Sequence, residues 1–229
     1  MKTIHITEEQ EEKVIEEMAY PASFNFEEFR ELKSFRARVG YCEQNLKRIS
    51  SGSSRIVYEV DNDKVLKLAK NNKGIAQNNN EVELGTSNYF SCFADVYEYD
   101  DDGLWLEMQK ARPARKGDFK SILGVPFEAV CYFVDSFHSR YARSSRYGSM
   151  ISNMEYEETV ENILNSEEGP AYDFFYGMED YMGNYQLEAI GDLKRISSYG
   201  VVNNGGEQEI VLIDYGLSDD VFDDYYKKW

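Results

Sequence analysis

Cysteine and histidine are scarce in this chain. Cys42, Cys92 and Cys131 are odd in number, widely separated and form no Cys-x-x-Cys pair, and His5 and His138 give no ligand-like spacing with them. A disulfide framework and a zinc site are both excluded as organising features. Basic charge is also short, because 25 Lys and Arg stand against 42 Asp and Glu and leave a formal net charge of −17. A surface that negative repels phosphate backbones and excludes nucleic acid as the main partner. No run approaches the ~18–20 apolar residues that cross a bilayer. The opening stretch MKTIHITEEQEEKVIEEM lacks the apolar core of a signal peptide. The expectation is a cytoplasmic protein with no membrane partner.

Core material, by contrast, is ample. Of 229 residues, 42% are hydrophobic and 14% aromatic, which excludes a disordered chain and suits one large domain or two closely packed lobes. Thr7 and Gln10 have capping-box spacing, and Val14, Ile15 and Met18 follow as a short amphipathic helix. Asn25 with Glu28 opens a second helix, along which Phe29, Leu32, Phe35, Val39, Cys42, Leu46 and Ile49 step by threes and fours. These two helices read as a cap over residues 1–48.

The texture changes at Ser50. A serine-rich turn, Ser50–Ser54, leads into the strand Arg55–Val60, and Asp61–Asp63 turns the chain into a second strand, Lys64–Ala69. A helix is expected from Ile75 to about Tyr89. Two more strands, Cys92–Tyr99 and Leu104–Met108, are joined by an acidic turn. Beyond Pro113 the pattern is mainly helical, near 126–142, 155–166 and 171–187. The aromatic residues of the last of these, Tyr172 to Tyr185, read as core. Ser198–Val202 and Glu209–Ile213 flank Asn203-Asn204-Gly205-Gly206, a hairpin signal. Arg112, Arg115 and Lys116 read as a solvated basic loop. The tail 219–226 reads as a short helix docking its aromatics on the helical lobe.

Chemistry concentrates at three places. Gly52 sits among serines in a turn between strands, where backbone N–H groups can approach a polyphosphate closely. Local basic groups suffice to hold such a ligand on an acidic chain, because a pocket responds to its nearest charges first. Lys67 lies inside an apolar strand, on the face shared by Val65 and Ala69, and an inward ammonium there needs an anionic partner. Glu81 on the following helix is the natural counter-ion. Asp192 precedes the last hairpin and Asp214 follows it, so pairing of its strands brings the two carboxylates to one mouth. Such a pair can divide the labour of orienting a hydroxyl and holding Mg²⁺ on phosphate oxygens.

In this order the elements resemble the protein-kinase-like fold. The run Ile49–Tyr58 is similar to the phosphate-loop pattern GxGxxGxVY with only its middle glycine kept, and Val65-Leu66-Lys67 looks like the VAIK strand. Leu104–Gln109 is similar to the strand that enters the hinge, Gly191-Asp192-Leu193-Lys194 to HRDLK, and Asp214-Tyr215-Gly216 to DFG. The resemblance covers roughly residues 49–217. It implies a two-lobed α+β fold, with a β-rich lobe at 49–110 and a reduced helical lobe at 111–229, and an ATP–Mg²⁺ phosphotransferase as the function. Lys67 and Asp192 would be catalytic. Gly52, Ser53, Lys67, Glu81 (or Glu83), Glu107 and Met108 would hold the nucleotide, the last two through hinge backbone. Asp214 and Ser197 would hold the metal. The overall look is similar to small kinase-like proteins of bacteriophage type.

The departures from that pattern open alternatives. Ile190 and Gly191 replace the His and Arg of HRD, and Ser197 stands where the family has a metal-binding Asn. Asn203 or Asn204 could substitute for it only with a rearranged loop. Only a short stretch follows Gly216, so an activation segment and a peptide-binding half are not expected. The acceptor, protein or small molecule, is left open. A pseudokinase that binds nucleotide or a partner without catalysis is the rival, an acidic partner-binding protein is a third reading, and nucleotidyl transfer is a fourth.

Overall fold

Period-two alternation between Arg55 and Ala69 sets the architecture. Ile56, Tyr58, Leu66 and Leu68 project to one face of a sheet, and Val57, Val65 and Lys67 to the other. Each face therefore needs its own cover. The computed structural model describes residues 23–86, 92–141, 154–185 and 190–227. The helix expected over Thr7–Met18 lies outside them.

Helices α1 (Phe26–Glu31) and α2 (Phe35–Asn45) come first, each opened by a side-chain cap, from Asn25 and Ser34 respectively. Strands β1 (Lys47–Ser51), β2 (Arg55–Glu59) and β3 (Lys64–Ala69) follow, then α3 (Asn72–Gly85), β4 (Val96–Tyr99) and β5 (Trp105–Gln109). The five strands form one antiparallel sheet in the order β1-β2-β3-β5-β4. Phe24, Phe26, Phe29 and Cys42 close over Ile56, Tyr58, Leu66, Leu68 and Trp105 on its outer face, and their burial supplies the attraction.

The second half adds β6 (Arg112–Pro113), α4 (Lys116–Ile122), α5 (Phe127–Tyr141), α6 (Met154–Ser166) and α7 (Pro170–Tyr185). After two 3₁₀ turns, Ile190–Lys194 and Ile196–Ser198, strands β7 (Tyr199–Asn204) and β8 (Glu207–Leu212) precede α8 (Asp219–Tyr225). β6, β7 and β8 make a small antiparallel sheet. Gly205 and Gly206 turn its hairpin at φ +63° and +99°, a region that side chains disfavour. Phe175, Met178, Tyr181 and Met182 of α7 are buried, in a core that runs up to Val65, Leu106 and Met108 beneath the first sheet. The chain is thus mixed α+β, a five-stranded antiparallel sheet covered on its outer face by α1 and α2 and joined to a mainly helical second half. No helix among the described residues is long and apolar enough to cross a membrane.

Three expectations need correction. The apolar stripe read as one helix from Asn25 to Ile49 breaks at Leu32–Ser34, and its end, Lys47–Ser51, is edge strand β1. A stripe at helical spacing does not reveal a break when the residues on both sides pack on the same sheet. The basic stretch after Lys110 is not a loop. Arg112 pairs with Val201 across β6–β7, its guanidinium grips Asp118 at 2.7 and 2.9 Å, and Lys116 opens α4. The tail helix docks on α3 of the β-rich lobe and not on the helical lobe. Asn80 Nδ2 donates to Ser218 Oγ at 2.7 Å, Gln77 Nε2 to the Tyr226 hydroxyl at 3.3 Å, and the Lys73 ammonium lies over the Tyr226 ring.

Candidate active-site cleft

Lys67 is where the two lobes are tied. It lies in the middle strand of the sheet, in register with Val57 on one side and Leu106 on the other, and is 5% exposed. Its Nζ donates to Glu81 Oε2 and to the Ile213 carbonyl, both at 2.7 Å. One ammonium therefore connects β3, α3 and the residue before Asp214.

Glu81 has no exposed surface and serves more than one donor. Arg55 Nη1 lies 2.7 Å from its Oε2, and the Tyr215 backbone N–H donates to its Oε1 at 3.3 Å. The other guanidinium nitrogen, Nη2, is bonded to Asp214 Oδ1. Two cations and two carboxylates thus form one network. Burial alone would raise the Glu81 pKa, but Arg55 and then Lys67 outweigh it and hold the carboxyl below its ordinary range. For Lys67, burial and the nearby Arg55 charge lower the ammonium pKa despite Glu81. Arg55 stays charged, since Glu81 and Asp214 more than offset its desolvation.

Asp214 is aimed by rigid neighbours. Ile213 N–H donates to the Ser198 carbonyl at 2.9 Å, and Tyr215 is buried with its hydroxyl on the Ala94 carbonyl at 2.7 Å. Gly216 sits so close to α3 that an added Cβ would meet the Gln77 carbonyl oxygen at 2.4 Å. Asp192 is clamped through its backbone, as its carbonyl accepts from Ser198 Oγ at 2.8 Å. Its carboxylate pairs with Arg195 at 2.8 Å. Half-burial raises the Asp192 pKa, with a smaller push from the Asp214 charge, against the pull of Arg195.

These groups line a cleft of about 880 Å³ between the lobes, within the usual size range of ligand sites. Its roof is the Ile49–Arg55 segment. Lys70 Nζ donates to the Gly52 carbonyl at 2.6 Å and to Ser51 Oγ at 2.9 Å, while Lys73 Nζ donates to Ser53 Oγ at 2.9 Å. An added Cβ at Gly52 would meet nothing nearer than Arg55 O at 4.0 Å, so the tip of this turn is open. Val57, Val65, Met108 and Ile190 give the cleft apolar walls, Ser197 and Lys194 lie on its floor, and Phe222 and Tyr226 stand at its side. On a chain of net charge −17, cations gather here.

Of the residues singled out from the sequence, Gly52, Ser53, Lys67, Met108, Asp192, Ser197 and Asp214 line this one cleft, and Glu81 lies behind it against Lys67. Glu107 is not among the lining residues. Its buried side chain pairs with Lys64 at 2.8 Å, and its register partner is Leu66, on the outer face. The fallback Glu83 is exposed and meets the Tyr185 hydroxyl at 3.5 Å. Asn203 and Asn204 stay at the far turn of the hairpin. Sequence reasoning missed Arg55 as a site residue. The signal was present, since strand alternation puts Arg55 on the face of Val57 and hence of Lys67.

No family model matches the chain, and no curated protein matches it. Solved structures with similarity include a ternary complex of streptomycin, ATP and APH(2")-IIa, with 14% identity and a TM-score of 0.33 over 93% of this chain and 73% of that one. ADP-bound aminoglycoside phosphotransferase APH(2'')-Ib shares 16% identity, with a TM-score of 0.34 over 79% and 70% of the two chains. A choline/ethanolamine kinase family protein from Mesorhizobium loti shares 14%, with a TM-score of 0.31 over 75% and 57%. At these scores nothing below rests on them.

Proposed function

We propose that the cleft binds a nucleoside triphosphate, ATP in the first instance, and transfers its terminal phosphoryl group to a hydroxyl acceptor. One observation carries this reading: a buried ammonium, paired to Glu81, shares a single cleft with Asp192 and Asp214 beneath a serine- and glycine-containing turn. Lys67, oriented by Glu81, holds phosphate oxygens. Backbone N–H groups around Gly52 and Ser53 close over the phosphates. The strand end at Met108 and Gln109 lies beside the base, with Met108 as part of the apolar wall. The acceptor oxygen attacks the terminal phosphorus, the bond to the bridging oxygen breaks, and Asp192 takes the hydroxyl proton. Positioning and charge neutralisation account for most of the rate gain.

Magnesium is the usual companion of such a substrate, and the oxygen chemistry of the cleft suits it. Asp214 and Ser197 offer hard donors, and a nucleotide's own phosphates complete such a shell. When bound, the ion neutralises charge on the phosphate oxygens.

The rival reading is a pseudokinase, and Arg55 favours it by occupying Asp214. Labelled ATP separates the two. The phosphotransferase reading expects nucleotide-dependent thermal stabilisation together with hydrolysis or self-labelling. Stabilisation without turnover selects the pseudokinase. No shift with ATP, ADP or GTP, with and without metal, sinks nucleotide binding altogether.

Asp192 also fixes a pH dependence. Its pKa lies above the ordinary aspartate value, chiefly because half-burial disfavours the charged form, so the acid limb of turnover should lie above that of an unperturbed aspartate. Arg195→Gln removes the cation that favours the carboxylate, so the pKa rises and the limb moves to higher pH. Initial rates across pH check this, and a limb that stays put or moves down contradicts it.

A further inference from the structure

Arg55 has no counterpart among the groups assigned above. It is 8% exposed and lies two positions before Val57, on the face that Lys67 shares. Its Nη2 is bonded to Asp214, while its Nη1 lies close to Glu81 without an aligned N–H, so that end is an ion pair and not a formed hydrogen bond. Asp214, in contrast, has a side chain 56% exposed to the cleft. A buried fork thus reaches out to a carboxylate that is open to solution. Its second partner, Glu81, is shared with Lys67 and has no exposed surface.

We propose that the Arg55 guanidinium is the resident counter-cation of Asp214, and that a divalent ion reaches this carboxylate only as Arg55 withdraws onto Glu81. The inference rests on the reading of Asp214 as the metal-side carboxylate. The two positions of the fork are both supplied by the protein. On Asp214 it offsets the charge of that carboxylate. On Glu81 alone it faces the phosphates beside Lys67, where a planar donor matches phosphate oxygens well. A like charge already on the carboxylate opposes a second cation there. Nucleotide-free protein should therefore bind divalent ions poorly, and entry of the ion and release of the arginine are one exchange.

The test uses the full chain without nucleotide and reads free Mn²⁺ by electron paramagnetic resonance. Arg55→Gln should bind Mn²⁺ at least about tenfold more tightly than the wild type. Arg55→Lys, whose single ammonium cannot span both carboxylates, should also gain affinity, and decides the matter if the glutamine variant does not fold. Adding Asp214→Asn to Arg55→Gln should abolish the gain. Lys73→Gln, which removes a nearby cation that does not touch Asp214, should leave Mn²⁺ affinity unchanged. Folded Arg55 variants with wild-type or weaker Mn²⁺ affinity overturn the proposal, as does an equal gain from Lys73→Gln. Because no nucleotide is present, this result stands apart from the thermal-shift experiment, whose failure would sink the nucleotide reading instead.

Discussion

Glu81→Gln should lower the unfolding temperature by about 10 °C or more, the largest stability loss expected from any single side chain of the cleft. The carboxylate is fully buried and accepts from Lys67 while facing Arg55, so its removal strands positive charge in the interior. Breaking a buried pair from one side costs about 3–5 kcal/mol. Here Lys67 would retain only the Ile213 carbonyl, and Arg55 only the exposed Asp214. The amide of glutamine can accept a hydrogen bond but cannot neutralise a charge. The sign of the pH dependence follows from the depressed pKa of Glu81. Its contribution is complete above the unfolded value of about 4.3 and is lost as pH falls through the lower folded value. The gap between wild type and variant should therefore narrow in acid. Calorimetry at neutral and acidic pH measures both. A shift below about 2 °C at neutral pH would show that the network is not the keystone described.

The second large effect separates binding from turnover. Asp192→Ala should keep nucleotide-dependent stabilisation and lose phosphoryl transfer by about 10²–10⁴-fold, the usual range for one general base. Lys67→Ala should lose the nucleotide-dependent shift itself. The second variant still folds by this account, because Arg55 remains against Glu81 and the buried carboxylate keeps a cation. Thermal shift and labelled-phosphate transfer on the same samples give the answer. If both variants transfer phosphate at the wild-type rate, neither residue has the role given to it.

Much of this was legible because it depends on local rules. Alternation in Val65-Leu66-Lys67-Leu68-Ala69 marked the strand and the face of its lysine, and the Asn-Asn-Gly-Gly turn marked the hairpin that brings Asp192 and Asp214 to one mouth. Pairing runs closer to that turn than expected, from Tyr199 to Asn204 and from Glu207 to Leu212, without moving the open end. Three features escaped. Strand β1 is exposed throughout and polar apart from Ile49, so nothing in its pattern says strand; only the edge of β2 makes it one. The break at Leu32–Ser34 is set by how α1 and α2 share the sheet. The role of Arg55 depends on Asp214 lying beside Glu81, a contact between residues far apart in sequence. Periodicity reports which face a side chain takes but not what waits there.

Helix α8 carries a mechanical consequence. It is fastened to α3 through Asn80 and Gln77, and α3 also bears Glu81. The aromatic side wall formed by Phe222 and Tyr226 is consequently mounted on the same lever as the carboxylate that aligns Lys67. Under the proposed function, a tilt of α3 would move this wall and the Glu81–Lys67 pair together, which couples the width of the cleft to the alignment of the ammonium.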